Sequence, residues 1–149
     1  MKIIYLVLIS VAILSSCESK YKKCVEKYFS DGKPGKIYYL DTLNGKNDTI
    51  SKVEYWSNGN RRIEGGYKNN LRDGEWTYWF ENGKVWSRGS FKDGLSNGKF
   101  EVYNEDGTRY MQSSYKSGQP DGCWTFFDKN KKQKEVYFEG GKIVRQIDF

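Results

Sequence analysis

The chain has 149 residues, with 25 Lys and Arg against 19 Asp and Glu, no His, three Cys, two Pro and 16 Gly. This length suits one small domain, and the lack of His excludes the usual general base, the Ser-His and Cys-His nucleophile pairs, and most zinc and haem sites. Aromatic residues reach 17%, which with the many Gly speaks against a helix bundle and for a β-rich chain full of turns.

Met1-Lys2 precedes an apolar run, Ile3 to Leu14, broken by Tyr5 and Ser10, and then comes Leu14-Ser15-Ser16-Cys17. One positive charge, a short apolar stretch and small residues at the end read residues 1–16 as a bacterial secretory signal. The run is shorter than the roughly 20 apolar residues that span a bilayer. Its Leu-Ser-Ser-Cys ending resembles the lipobox of bacterial lipoproteins. That resemblance implies a thioether-linked diacylglycerol on Cys17, acyl chains such as palmitate, and a stable membrane anchor. Glu18, a residue other than Asp after the anchor, implies by the same likeness an outer-membrane address, on its periplasmic or surface face. Residues 17–36 carry six Lys against three acids and read as a lipidated, Lys-rich tether, suited to an anionic leaflet or simply solvated. With Cys17 lipidated, Cys24 and Cys123 form an even pair in an oxidising compartment, either bridged or left as two thiols.

A repeat of 24 residues follows. Asn58-Gly59, Asn82-Gly83 and Asp106-Gly107 align, as do Tyr67-Lys68, Phe91-Lys92 and Tyr115-Lys116. So do Gly74-Glu75-Trp76, Gly98-Lys99-Phe100 and Gly122-Cys123-Trp124, and then Tyr78-Trp79, Val102-Tyr103 and Phe126-Phe127. Upstream, Tyr28 to Lys33 resembles Tyr55 to Asn60 at a spacing of 27, so residues 37–54 read as a degenerate first repeat with an insertion. Residues 55–149 form the repeat domain.

Each unit holds two strands. The Asn-Gly or Asp-Gly steps between aromatic runs predict tight type I′ hairpins. The second connection, Tyr67 to Gly74 and its copies, reads as a longer loop ending in Gly. Alternation puts Trp76, Tyr78 and Phe80 on one face and Glu75, Thr77 and Trp79 on the other. The predicted fold is all-β, an elongated meander of stacked antiparallel β-hairpins, growing by about 9.6 Å per repeat with aromatic ladders between units.

The Tyr/Phe-Lys, Asp/Asn-Gly-x-Trp/Phe and following aromatic strings resemble the MORN-variant repeat of bacteria, from residue 55 to about 144. The resemblance implies a single twisted sheet of hairpins, and relatives described as antitoxin-like or as lipoproteins. The column of Glu75, Lys99 and Cys123 shows that no fixed reactive residue runs through the units.

Little chemistry is visible. Glu75 and Glu101 lie among aromatics as a glycosidase pair would, yet their repeat equivalents are Lys99 and Cys123, and Thr77 and Thr125. They read as strand charges. Ser90, Ser113 and Ser114 have no His to activate them, and no loop gathers a calcium shell. No catalytic residue, metal or other cofactor is expected. The repeat region has 16 basic and 13 acidic residues, interspersed, which argues against nucleic acid. The candidate contact residues are Trp79, Tyr103 and Phe127, one column on the partly polar face, with Trp86 as a further aromatic. Asp41-Thr42-Leu43 and Asp48-Thr49-Ile50 resemble bacterial O-glycosylation sequons, which marks Thr42 and Thr49. The expected function is a lipid-anchored, non-enzymatic envelope protein that binds a protein partner. A structural module against lipid headgroups or wall polymer is the alternative, and self-association through open sheet edges is a further expectation.

Overall fold

The computed structural model describes residues 21–42 and 47–149, and among these described residues there are twelve strands and no helix. They are β1 (Tyr21–Tyr28), β2 (Pro34–Asp41), β3 (Asp48–Tyr55), β4 (Arg61–Lys68), β5 (Leu71–Trp79), β6 (Val85–Lys92), β7 (Leu95–Tyr103), β8 (Arg109–Lys116), β9 (Gln119–Pro120), β10 (Gly122–Asp128), β11 (Lys131–Glu139) and β12 (Lys142–Asp148). All pair antiparallel in chain order in one open sheet, with the two-residue β9 pairing only to β8. The ten steps from β1 to β12 span about 48 Å at the usual strand spacing. The predicted meander of hairpins is the observed architecture.

The two kinds of turn are exchanged relative to expectation. At Phe80 to Lys84, the Phe80 amide donates to the Lys84 carbonyl at 2.8 Å and the Gly83 amide donates to the Phe80 carbonyl at 3.0 Å. Gly83 has φ +85°, and Asn82 does not have a positive φ. This is a three-residue loop of a type I turn plus a left-handed glycine, in which a single residue needs positive φ. Phe29 to Lys33, Trp56 to Asn60 and Asn104 to Thr108 repeat the same two hydrogen bonds. The type I′ pairs sit at the opposite edge, where Asn69 and Asn70 (φ 51° and 60°) and Asp93 and Gly94 (φ 49° and 83°) link strands with no further loop. The expected long loop is therefore strand. Gly74 is absorbed as a bulge, because Gly65 pairs with Trp76 while the next residue, Gly66, pairs with Asp73.

Two further expectations are corrected. The predicted tether of 17–36 is largely sheet in its described part: β1 and the start of β2 lie within it. Tyr21, Val25 and Tyr28 suit a strand, and the surrounding lysines suit an edge strand, where they discourage unwanted pairing. Cys24 lies on β1 and Cys123 on β10, eight strand steps apart, or about 38 Å, so no disulfide can join them. Both are free thiols. Cys17 lies outside the described residues, as does 43–46 between Thr42 and Thr49. Thr49 is half-buried in β3, paired with Leu40.

A single layer must make its core on one face, and here it is a row of rings. Tyr67, Trp76, Phe91, Phe100, Tyr115, Trp124 and Phe138 follow each other with centroid separations from 4.8 to 6.2 Å. Trp76 lies over its cross-strand partner Gly65, and Phe100 over Gly89. A Cβ at either glycine would overlap the ring above it. Phe100 is flanked on its other side by the buried Ser113. Ring edges against ring faces add to the area they bury. The Trp76 and Trp124 indole N–H groups donate to the Gly66 and Ser114 carbonyls at 3.0 and 2.9 Å, which fixes both rings flat on the sheet.

The opposite face is charged. Ile37 and Val53 are its buried apolar pair near the N-terminal end. Beyond them run ion pairs, Arg61–Glu64 at 2.7 Å, Arg88–Glu101 at 2.6 Å and Lys132–Glu135 at 2.6 Å.

Candidate functional site

The ring face opens into a groove at the edge where the three-residue loops stack. Trp56 and Phe80, one repeat apart, each occupy the position just before their loop. The Trp56 indole N–H donates to the Trp79 carbonyl at 3.1 Å, and the Asn58 and Asn60 amides both donate to the Glu81 carbonyl at 2.8 Å. These bonds tie each loop to the next and hold the gap between Trp56 and Phe80 at one repeat width. Tyr78 and Phe80 meet Trp86 from the neighbouring strand, at ring separations of 6.1 and 6.3 Å. The resulting groove has a volume of about 530 Å³ and is lined by Trp56, Tyr78, Phe80 and Trp86, with Arg62, Glu81 and Glu105 at its margin; Trp79, whose carbonyl holds the Trp56 indole, also borders it. Trp86 is 48% exposed. In the following units Asn104 and Asp128 replace Trp56 and Phe80, so this four-ring lining belongs to the first two units only.

The four residues expected to form a contact surface are divided by the sheet. Trp79, Tyr103 and Phe127 lie on the charged face: Trp79 beside Glu75 and Thr77, and Tyr103 beside Val85 and Arg88. They are half-buried and covered by their neighbours. Arg88 donates to the Tyr103 hydroxyl at 3.4 Å, and the Arg109 guanidinium sits 5.4 Å from the Phe127 ring centre. Trp86 is on the ring face, in the groove. Sequence reading missed Trp56, Phe80, Tyr78 and Arg62 as its companions. The available signal was the aromatic residue before each loop, present at 29, 56 and 80 and lost at 104 and 128.

Electrostatics give the carboxylates on the charged face a structural part. Burial pushes Glu101 up, but the hydrogen bond and charge of Arg88 outweigh it, and the carboxyl titrates below its ordinary range. Tyr137 is pushed up to about 12, first by its hydrogen bond to Glu135 and then by burial and the Cys123 thiol. Glu75 pairs across strands with Ser90, and its charge, like that of Glu101, acts on Arg88. Among the described residues no three His, Cys, Asp or Glu gather closely enough to hold a metal ion.

One repeat with this geometry matches a family model. Residues 72–93 match the MORN repeat variant. That segment runs from the second residue of β5 through β6 to the type I′ turn at Asp93, and carries Trp76, Tyr78, Phe80 and Trp86. A similar solved structure is the crystal structure of TarM, at a TM-score of 0.44 and 18% identity over 76% of this chain. The likeness covers only 20% of the TarM chain. A comparison with the curated proteins finds no match. The molecule is a β-hairpin repeat protein that carries a MORN-type repeat, an architecture suited to a binding or structural module.

Proposed function

We propose that the chain is a lipid-anchored, non-enzymatic protein of a bacterial envelope whose hairpin sheet docks a protein partner on its ring face. The observation that carries this reading is the groove: four aromatic side chains converge on an open surface, and Trp86 stands 48% exposed within it. Exposed aromatic anchors flanked by charge are where docking energy concentrates. The lipobox-like ending at Cys17 supplies the anchor. An antitoxin or immunity role is a narrower form of the same proposal, carried only by the repeat family.

The test compares faces. In native envelopes, photo-crosslinking from the full-length chain should give one defined adduct that Trp86→Ala removes and Tyr103→Ala with Phe127→Ala leaves intact. The reverse pattern, or adducts indifferent to both, would refute docking on the ring face. Cys17→Ser should release the chain from membranes and block incorporation of a labelled fatty acid.

One feature favours a second reading, contact with anionic headgroups. Lys68, Lys92 and Lys116 stand exposed in one column beside the type I′ turns. Such binding would weaken steeply with salt, whereas an aromatic interface would not.

A further inference from the structure

Several rings in this molecule are covered by cations of the same chain. On the ring face, Arg72 sits 4.3 Å from the Trp76 centroid and 5.3 Å from Phe91, and Lys52 lies 5.3 Å from Trp76. Arg62 lies 5.0 Å from Trp56, its charge shared with Glu54 at 3.4 Å. On the other face and at the C-terminal end, Arg109, Arg145 and Lys132 do the same for Phe127, Tyr137 and Phe149. Trp86 is not among these covered rings. It is among the most exposed large apolar side chains, it faces Tyr78 and Phe80, and among the described residues no Lys or Arg covers it.

The margin of the groove carries the complementary charge. Glu81 and Glu105 are exposed on successive loops, and neither makes an ion pair among the described residues. The nearby Lys84 ammonium is turned to the Asp106 carbonyl at 2.7 Å instead. Ring faces are negative in their quadrupole and attract a cation placed over them, most strongly where water is partly excluded. Carboxylates at the mouth add a charge attraction that a neutral guest would not feel.

We propose that this groove receives a cationic side chain of the partner, an arginine or lysine, seated against Trp86, Phe80 and Tyr78 with Glu81 and Glu105 at its mouth. This rests on the reading of the ring face as the docking surface and adds the chemistry it selects. Arg62 on Trp56 is the intramolecular precedent, one wall of the groove already holding a guanidinium. The net charge of +6 means that the attraction is local to this margin and is not a steering field of the whole molecule.

The test uses the full-length chain in detergent and follows the tryptophan indole N–H signals by NMR. Choline and the amide of N-acetylarginine are the probes. The uncharged counterpart of choline, 3,3-dimethylbutan-1-ol, is the control for shape. The cations should shift the Trp86 signal saturably and bind about tenfold more tightly than the alcohol. Glu81→Gln with Glu105→Gln should erase that preference while the alcohol still binds, and Trp86→Ala should abolish the shifts that the cations and the alcohol both cause at the Trp56 indole signal, with the β-sheet circular dichroism unchanged. Equal binding of the alcohol would overturn the proposal and leave an unselective apolar groove. A response to an N-acetylglucosamine disaccharide without one to the cations would make the groove a sugar platform, and no response at all would remove the site. The crosslinking experiment is independent of these probes. A Trp86-dependent adduct without cation binding would leave the docking face standing and discard only the cation.

Discussion

Trp76 and Trp124 occupy the same position two repeats apart, and the sheet treats them differently. Trp76 is fully buried, at 0% exposure, whereas Trp124 remains half-open although its neighbours Tyr115 and Phe138 approach to 5.1 and 4.8 Å. The local backbone is shared: both rings lie flat, and both donate to a carbonyl on the adjacent strand. The difference is the lid. Arg72 and Lys52 lie over Trp76, while the copies of Arg72 are Ser96 and Pro120. A single-layer sheet has no second layer to shield its rings, so long cationic side chains do it, laying their apolar stems on the ring while the charged heads reach water. Burial here is decided unit by unit, which is how one repeat can be a structural centre and its neighbour a surface.

The sharpest way to break the comparison is to truncate both rings. Trp76→Ala should cost about 3–5 kcal/mol, the range for emptying a buried aromatic site, and Trp124→Ala roughly half as much because part of its surface already meets water. Urea unfolding, with hydrogen exchange to locate the loss by repeat, measures both. Equal costs would show that the lid over Trp76 contributes nothing. Gly89→Ala comes next, at about 1–3 kcal/mol, since its methyl would overlap the Phe100 ring.

How much of this was legible depends on the residue. The 24-residue spacing and the alternation gave the order of the repeat strands and the faces of Trp76 and Trp79, because each is a one-dimensional property of the chain, but not the full extent of the strands. The turns were misassigned for a specific reason. Asn58-Gly59 satisfies both a type I′ pair and a type I turn with a left-handed glycine, and only the length of the paired strands separates them. Asp93-Gly94 carried the same dipeptide and was absorbed into a supposed loop, since Gly98 four residues later looked like its end and is in fact a bulge. Lysines hid β1, because charge suggests a tether and an edge strand equally well. The groove was illegible for a different reason: Trp56, the Tyr78 and Phe80 pair, and Trp86 sit on three segments and converge only through register and turn stacking.

Moving the lid sharpens the comparison from the other side. Arg72 also donates to the Tyr78 hydroxyl at 3.0 Å, so Arg72→Met, which keeps the stem and loses the charge, should cost about 1 kcal/mol. Ser96→Arg places the same side chain at the corresponding point beside Phe100 and should recover about 0.5 kcal/mol there. If Arg72→Met leaves stability untouched, the guanidinium is a passenger, and the sealing of Trp76 comes from the surrounding rings alone.

The smallest effect contrasts the two faces through pH. Glu101, held by Arg88 on the charged face, titrates below its ordinary value of 4.5 once folded. A folded carboxyl that releases its proton more readily than the unfolded one stabilises the fold in full above about pH 4.5. That contribution fades as the pH falls toward the lower folded value and is gone beneath it. Arg88 is 49% exposed, so screening keeps the pair below about 1 kcal/mol. Arg88→Met should therefore lower stability slightly at pH 7 and match the parent near pH 3. The ring spine has no such dependence, because no side chain in it changes charge in that interval. A pH-independent deficit in Arg88→Met would assign the loss to the packing of its stem on the sheet, and the charged face would then be held by the same apolar contacts as the ring face.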